Sequence, residues 1–238
     1  MARRRRMRAA LRGKAPGLSV ERSLWVEGHG VVVGMDEVGK GAWAGPLTVC
    51  AVMPDRTRRI MGVRDSKMLN EAEREALYDR VTAWAEAWGV GHATNDECDD
   101  LGMSDAQRLA ARRALDDLGV APDRVLLDGR WDFVGGGIAQ TIVGGDATSL
   151  SIAAASVVAK VTRDRLMREA DDLFPGYGFA EGKGYPNPAH RSALMEWGAT
   201  SFHRRSWSFM DGLPDVGEPR RHPPTALQLR AVPPGAHV

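Results

Sequence analysis

The sequence predicts an α/β fold, a mixed β-sheet flanked by helices. Two short apolar runs near the front of the chain have the length and residue types of strands. After residue 70, segments with helical spacing alternate with further short apolar runs, the pattern of a sheet covered by helices. Both patterns fade at the ends of the 238 residues. Residues 1–24 therefore read as a flexible basic arm, 25–210 as one catalytic-sized domain, and 211–238 as a disordered Pro/Gly-rich tail.

The first strand runs from His29 through three valines and ends on Asp36 and Glu37. The second spans Pro46 to Met53, with the Gly-rich stretch Gly39 to Gly45 as the turn between them. Asn70 with Glu73 reads as a reciprocal helix cap, and Leu77, Val81, Trp84 and Trp88 follow at helical spacing. Ser104 and Gln107 open another helix that turns Leu109, Ala114, Leu115 and Leu118 inward. Arg124 to Asp128 is a short buried strand ending in an acid, and Ile138 to Val143 another strand. A long helix begins at Ser149, and Asn187-Pro188 starts the last one, which Gly198 ends. Trp84, Trp88, Trp131 and Trp197 are expected in the core rather than as stacking platforms.

Composition narrows the function. No apolar run is long enough to span a bilayer, and the basic start lacks the apolar middle of a secretory signal. A cytoplasmic monomer without membrane contact is the expectation. Cys50 and Cys98 make no disulfide framework and no zinc spacing. Net charge is +1, but Arg3, Arg4, Arg5, Arg6, Arg8, Arg12 and Lys14 all lie in the first 14 residues. Without them 25 basic residues face 31 acidic ones, so the body is not held to polyanions by bulk charge.

Four acids stand where a core usually has none: Asp36 and Glu37 after the valines, Asp128 after Val125-Leu126-Leu127, and Asp146 between glycine and a helix start. Acids are rarely buried unless paired or bound to metal. Each could instead be a turn residue, and Asp146 a helix cap. Taken together, four carboxylates suit hard Mg²⁺ or Mn²⁺, and two such ions can activate water and clamp a phosphate.

The run Gly34-Met35-Asp36-Glu37-Val38-Gly39-Lys40-Gly41, followed by Ala44-Gly45-Pro46, resembles the signature of the bacterial ribonuclease HII family. Further segments agree in order: Asp65-Ser66-Lys67 with Leu69, Leu127-Asp128-Gly129, Gly145-Asp146 leading into Ser151 to Ser156, and Ala159-Lys160. Arg163-Asp164-Arg165, Gly176-Tyr177-Gly178-Phe179, Lys183-Gly184-Tyr185 and His203-Arg204-Arg205-Ser206 complete the set.

The resemblance implies a ribonuclease H-like sheet with a helical C-terminal part. It implies Asp36, Glu37, Asp128 and Asp146 as ligands of two Mg²⁺ or Mn²⁺ ions and as catalytic residues. The implied substrates are RNA–DNA hybrids and duplex DNA holding single ribonucleotides, cut to leave 3′-hydroxyl and 5′-phosphate ends. Gly39, Lys40 and Gly41 stand where the family has Gly-Arg-Gly. Their backbone would approach the ribose and test for a 2′-hydroxyl. Lys40 matters only if a planar fork of donors is needed there. Tyr185 fits the family's tyrosine at the ribonucleotide. Glu181-Gly182 departs from the family's Glu-His, so no acid role is assigned there. Ser66, Lys67, Ser149, Ser156 and Lys160 are phosphate-contact candidates, each equally readable as a cap or a solvated charge, and Arg204 and Arg205 are read the same way. A ribonuclease HIII-type enzyme and a non-catalytic binding protein are the alternatives. The first usually adds an N-terminal domain for which residues 1–28 are too short, and the second is disfavoured by the presence of all four acids.

Overall fold

The computed structural model describes residues 15–214. They form two compact units: residues 15–36, 51–88 and 120–158 in the first, and 37–50, 89–119 and 159–214 in the second. In chain order the elements are α1 (Ser19–Val26), β1 (Val32–Val38), β2 (Leu47–Met53), α2 (Glu71–Trp84), β3 (Ala87–Ala93), α3 (Asn95–Leu118), β4 (Arg124–Asp128) and β5 (Ala139–Ile142). The helices α4 (Gly145–Thr148), α5 (Leu150–Leu173), α6 (Phe179–Gly182) and α7 (Pro188–Trp197) follow. One five-stranded sheet has the order β3-β2-β1-β4-β5, the helix-flanked sheet the sequence predicts. Among the described residues no helix is long and apolar enough to cross a membrane.

In the first unit, β1 and β4 pair in parallel, with Val32 opposite Arg124 and Met35 opposite Leu127. β4 pairs in parallel with β5. Val32, Val33, Met35, Val125, Leu126 and Leu127 are all fully buried, as parallel strands covered on both faces must be. Leu24, Val32, Leu126 and Ile152 pack together there. Gly34 has no room for a side chain: a Cβ would lie 2.3 Å from the backbone of Ser151. The strand and the first turn of α5 thus meet backbone to backbone.

The arm expected over residues 1–24 is partly wrong. Residues 19–26 are helix α1, and Glu21 within it is completely buried. Its Oε1 accepts hydrogen bonds from Ser149 Oγ (2.6 Å), Ser151 Oγ (2.7 Å) and Ser151 N (3.0 Å). Those donors are what permit a carboxylate to leave water. Residues 1–14 lie outside the described residues. So do 215–238 of the expected tail, whose first residues still belong to a 3-10 helix, Ser208–Gly212.

Helix starts follow local chemistry. Asn70 and Glu73 form the expected reciprocal cap on α2. α3 begins earlier than expected, at Asn95, under a second such box made by Thr94 and Glu97. Gly102, at φ 74°, interrupts it, so its second stretch starts beside Ser104. α7 begins and ends where Asn187-Pro188 and Gly198 predict. β3 is the unexpected strand, and Trp88 belongs to it rather than to α2.

In the second unit, Met167, Phe174, Tyr177, Phe179, Leu194 and Phe202 form the aromatic-rich core. Cys50 and Cys98 are buried and are not joined in a disulfide. Of the four tryptophans assigned to the core, only Trp84 is buried. Trp88 and Trp131 are half-buried. Trp197 is 41% exposed, its ring lying where a Cβ on Gly176 would be.

Candidate active site

Three of the four acids, Asp36, Asp128 and Asp146, lie in the first unit. Asp36 and Asp128 directly follow Met35 and Leu127, the last paired residues of the parallel strands β1 and β4. Asp128 Oδ1 accepts from Gly145 N at 2.8 Å, which ties the strand end to the turn carrying Asp146. Asp36 and Asp146 are buried and Asp128 half-buried. Burial raises the pKa of Asp146 above the usual carboxylate value, and the neighbouring charges of Asp128 and Asp65 raise it further.

Lys67 stands among these acids. Its Nζ is 3.6 Å from Asp146 Oδ2. Burial by itself would lower its pKa, but Asp36, Asp65, Asp146 and Asp128 together raise it. A 3-10 turn, Ser66–Met68, presents the side chain, and Asp65 Oδ1 caps that turn by accepting from Lys67 N at 2.9 Å. Carboxylates repel one another, and the ammonium offsets that repulsion. Among the described residues, no three Asp, Glu, His or Cys side chains stand together closely enough to hold an ion as they are. Glu37, next along β1, is half-buried and belongs to the second unit.

The second unit builds the glycine turn. Gly39 has φ 91°, and a Cβ there would lie 2.3 Å from Arg163 Nε and 2.8 Å from Pro46 O, so only glycine fits. Gly39 N donates to Tyr185 Oη at 3.0 Å, leaving the hydroxyl hydrogen of Tyr185 to be donated elsewhere. Lys40 and Gly41 are exposed. Arg163 is fully buried and donates through Nε to Pro46 O (2.8 Å), Nη1 to Lys183 O (2.8 Å) and Nη2 to Ala44 O (3.0 Å). Its guanidinium lies 5.5 Å from the centre of the Tyr185 ring. Burial lowers its pKa to about 10, which still leaves it charged at neutral pH.

Several phosphate-contact candidates prove to be internal. Ser149 is completely buried, and its Oγ accepts from Ile152 N at 3.3 Å while donating to Glu21, so it caps α5. Ser156 is buried and links Ala153 O to Ser66 N. Ser66 is itself buried. Lys160 Nζ pairs with Asp164 Oδ1 at 2.5 Å. Arg204 is fully buried and donates to Gly45 O and, at 3.1 Å, to Lys40 O. Of the candidate cations, Lys67 and Arg205 are exposed. The sequence assigns no role to Arg163, His190, His203 or Glu21. The first three lie in or beside the motifs quoted above, but their burial is set by tertiary contacts that no motif displays.

The family model for ribonuclease HII matches residues 33–210. Ribonuclease HII of Streptomyces avermitilis is 46% identical over 201 residues, covering 84% of this chain and 86% of the relative. Among solved structures, ribonuclease H2 of Pyrococcus horikoshii OT3 is similar with a TM-score of 0.65 and 25% identity, over 76% of this chain and 96% of that one. Ribonuclease HII of Archaeoglobus fulgidus, solved in complex with PCNA, gives 0.64 and 26%, over 75% and 95%. With Asp36, Asp128 and Asp146 all acting on Lys67, and these matches along nearly all the described residues, the chain belongs to the ribonuclease HII family.

Proposed function

We propose that the protein is a divalent-metal-dependent endoribonuclease. It cuts the RNA strand of RNA–DNA hybrids and incises duplex DNA 5′ to a single embedded ribonucleotide, leaving 3′-hydroxyl and 5′-phosphate ends. The observation that carries this reading is the convergence of Asp36, Asp128 and Asp146 around one lysine in a family of ribonucleases.

Asp36, Asp128 and Asp146, with Glu37 beside Asp36 in the chain, would hold two Mg²⁺ or Mn²⁺ ions. The fit rests on donor chemistry: all the donors are hard carboxylate oxygens, which suit these ions and not zinc. Burial, and after it the neighbouring charges of Asp128 and Asp65, raise Asp146, and a bound cation would offset both. When bound, such ions lower the pKa of water and offset charge on the phosphate. The protein's own part is positioning. Asp128 is fixed through Gly145, and Lys67 reaches the acids from an exposed turn where it can meet a phosphate oxygen. The Gly39–Gly41 turn and Tyr185 would recognise the ribose. Arg204 holds the turn through the backbone carbonyl of Lys40, a contact that does not use the side chain at position 40. The spare hydrogen of the Tyr185 hydroxyl suits a 2′-oxygen.

The test is a labelled DNA duplex holding one ribonucleotide, incubated with Mg²⁺ and then Mn²⁺, beside an Asp36→Asn variant. Cleavage 5′ to the ribonucleotide, lost in the variant, is expected. Cutting only of long hybrid RNA would replace this reading with the ribonuclease HIII type. Absence of metal-dependent cleavage of both substrates would leave a binding protein.

A further inference from the structure

Two buried histidines in the second unit lie in line with Tyr185 and have no part in the chemistry above. His190 and His203 are each about 1% exposed. Their Nε2 atoms are 2.9 Å apart. His190 Nδ1 lies 3.1 Å from the backbone oxygen of Tyr185. At the far end, His203 Nδ1 lies 3.0 Å from Thr200 N and 2.8 Å from Thr200 Oγ1.

These contacts fix every proton. A backbone N–H only donates, so His203 Nδ1 is bare and its proton sits on Nε2. A carbonyl only accepts, so His190 carries its proton on Nδ1, and its Nε2 is bare. The contact between the rings is therefore an N–H···N bond from His203 to His190. The Thr200 hydroxyl accepts from Phe202 N at 3.2 Å, which leaves its own hydrogen for His203, in agreement with that order. A single direction runs from Thr200 through both rings to Tyr185. Both rings must be neutral, because a second proton on either would set two N–H groups against each other. Burial lowers the pKa of both, that of His203 to about 3 with His190 and Arg205 adding to the effect. Arg205 is the charged group facing His203, and around the rings pack Trp43, Tyr177 and Phe179.

We propose that His203 and His190 are positioning residues. Their paired neutral rings hold the Tyr185 backbone so that its phenol stays on Gly39 N, set for the ribonucleotide. The inference rests on the reading that Tyr185 touches that ribonucleotide. Without the His203 donor, the His190 proton can move to Nε2. Nδ1 then no longer donates to the Tyr185 carbonyl, and the phenol loses its fixed place.

Two measurements test this on the full chain. Nitrogen-detected NMR of ¹⁵N-histidine protein should show His190 as the Nδ1–H tautomer and His203 as the Nε2–H tautomer, unchanged between pH 8 and about pH 5.5, where an ordinary histidine titrates. The opposite tautomers, or titration of either ring in that range, would overturn the relay without touching the role of Tyr185. Kinetics on the one-ribonucleotide duplex then read function. His203→Leu should raise KM about tenfold with kcat little changed, and His203→Gln, which keeps a donor at the Nε2 position, should recover most of it. In a Tyr185→Ala background, His203→Leu should add nothing. An equal loss in that background would make the histidines merely structural and sink the proposal. Tyr185→Ala leaving KM unchanged would remove the reading of Tyr185 itself, while the tautomers still decide the relay.

Discussion

Replacing Arg163 with methionine should be among the most destabilising single changes in the second unit. The guanidinium serves three backbone carbonyls, those of Pro46, Lys183 and Ala44, from a fully buried position. Methionine fills much of the volume but donates nothing. Each carbonyl left without a donor costs about 1–3 kcal/mol, or roughly 3–9 kcal/mol in all. Relief from burying a charge offsets several kcal/mol of that. From the middle of that range, about 6 kcal/mol, the expected net loss is about 2–4 kcal/mol. Urea unfolding at pH 7, followed by tryptophan fluorescence and circular dichroism together, reads it as a lower midpoint at unchanged slope. Arg163→Lys should fall between, because one ammonium cannot span three divergent acceptors. A loss below about 1 kcal/mol for the methionine variant would refute the reasoning, since it would mean water or a shifted backbone satisfies the carbonyls unaided.

Two further outcomes follow from the same geometry. Gly39→Ala meets both a positive φ and the Arg163 side chain, so it should cost at least about 2 kcal/mol. Circular dichroism melting and KM for the ribonucleotide duplex should both show it, and an unchanged melting point would exclude the clash with Arg163. Glu97 is held below the usual glutamate pKa, chiefly by its hydrogen bonds with Arg113 at 2.6 and 2.7 Å. Its contribution is therefore complete above the ordinary glutamate pKa and is lost as pH falls through its lowered native value. Glu97→Gln should lose stability at pH 7 yet converge with the parent protein as pH falls below the lowered Glu97 pKa, and a difference that stays constant down to acid unfolding would contradict this.

Features written in a few adjacent residues were legible in the sequence. The Asn70–Glu73 box, the Asn187-Pro188 start, the Gly198 stop and the acid ending β4 all depend on local chemistry. The strand β3 was hidden because two of its residues are glycines and Trp88 continues the spacing of α2. Those glycines are explained only by α3: a Cβ on Gly91 would lie 2.0 Å from Ala110 O, and one on Gly89 2.3 Å from Leu118 N. Asp36, Asp128 and Asp146 were legible as a set because each acid follows an apolar run or a glycine, but the lysine that faces all three, Lys67, is placed there only by the folded chain. Ser149 and Arg204 misled because hydroxyls and guanidinium groups serve phosphates and buried carbonyls equally well, and only burial separates the two. Glu21 was invisible for a related reason, since its hydroxyl partners lie some 130 residues away.

The bare contact at Gly34 bears on how the acids keep their spacing as the sequence drifts. Side chains between a strand and a helix act as spacers, and exchanging one for another resets the gap by fractions of an ångström. Here no spacer exists, since the main chain of β1 rests on that of Ser151 and Ile152. Asp36 lies two residues beyond Gly34, and Asp146 lies five before Ser151. Substitutions elsewhere in the core can change volume without altering that span, whereas any residue other than glycine at position 34 would drive strand and helix apart and pull Asp36 away from Asp146.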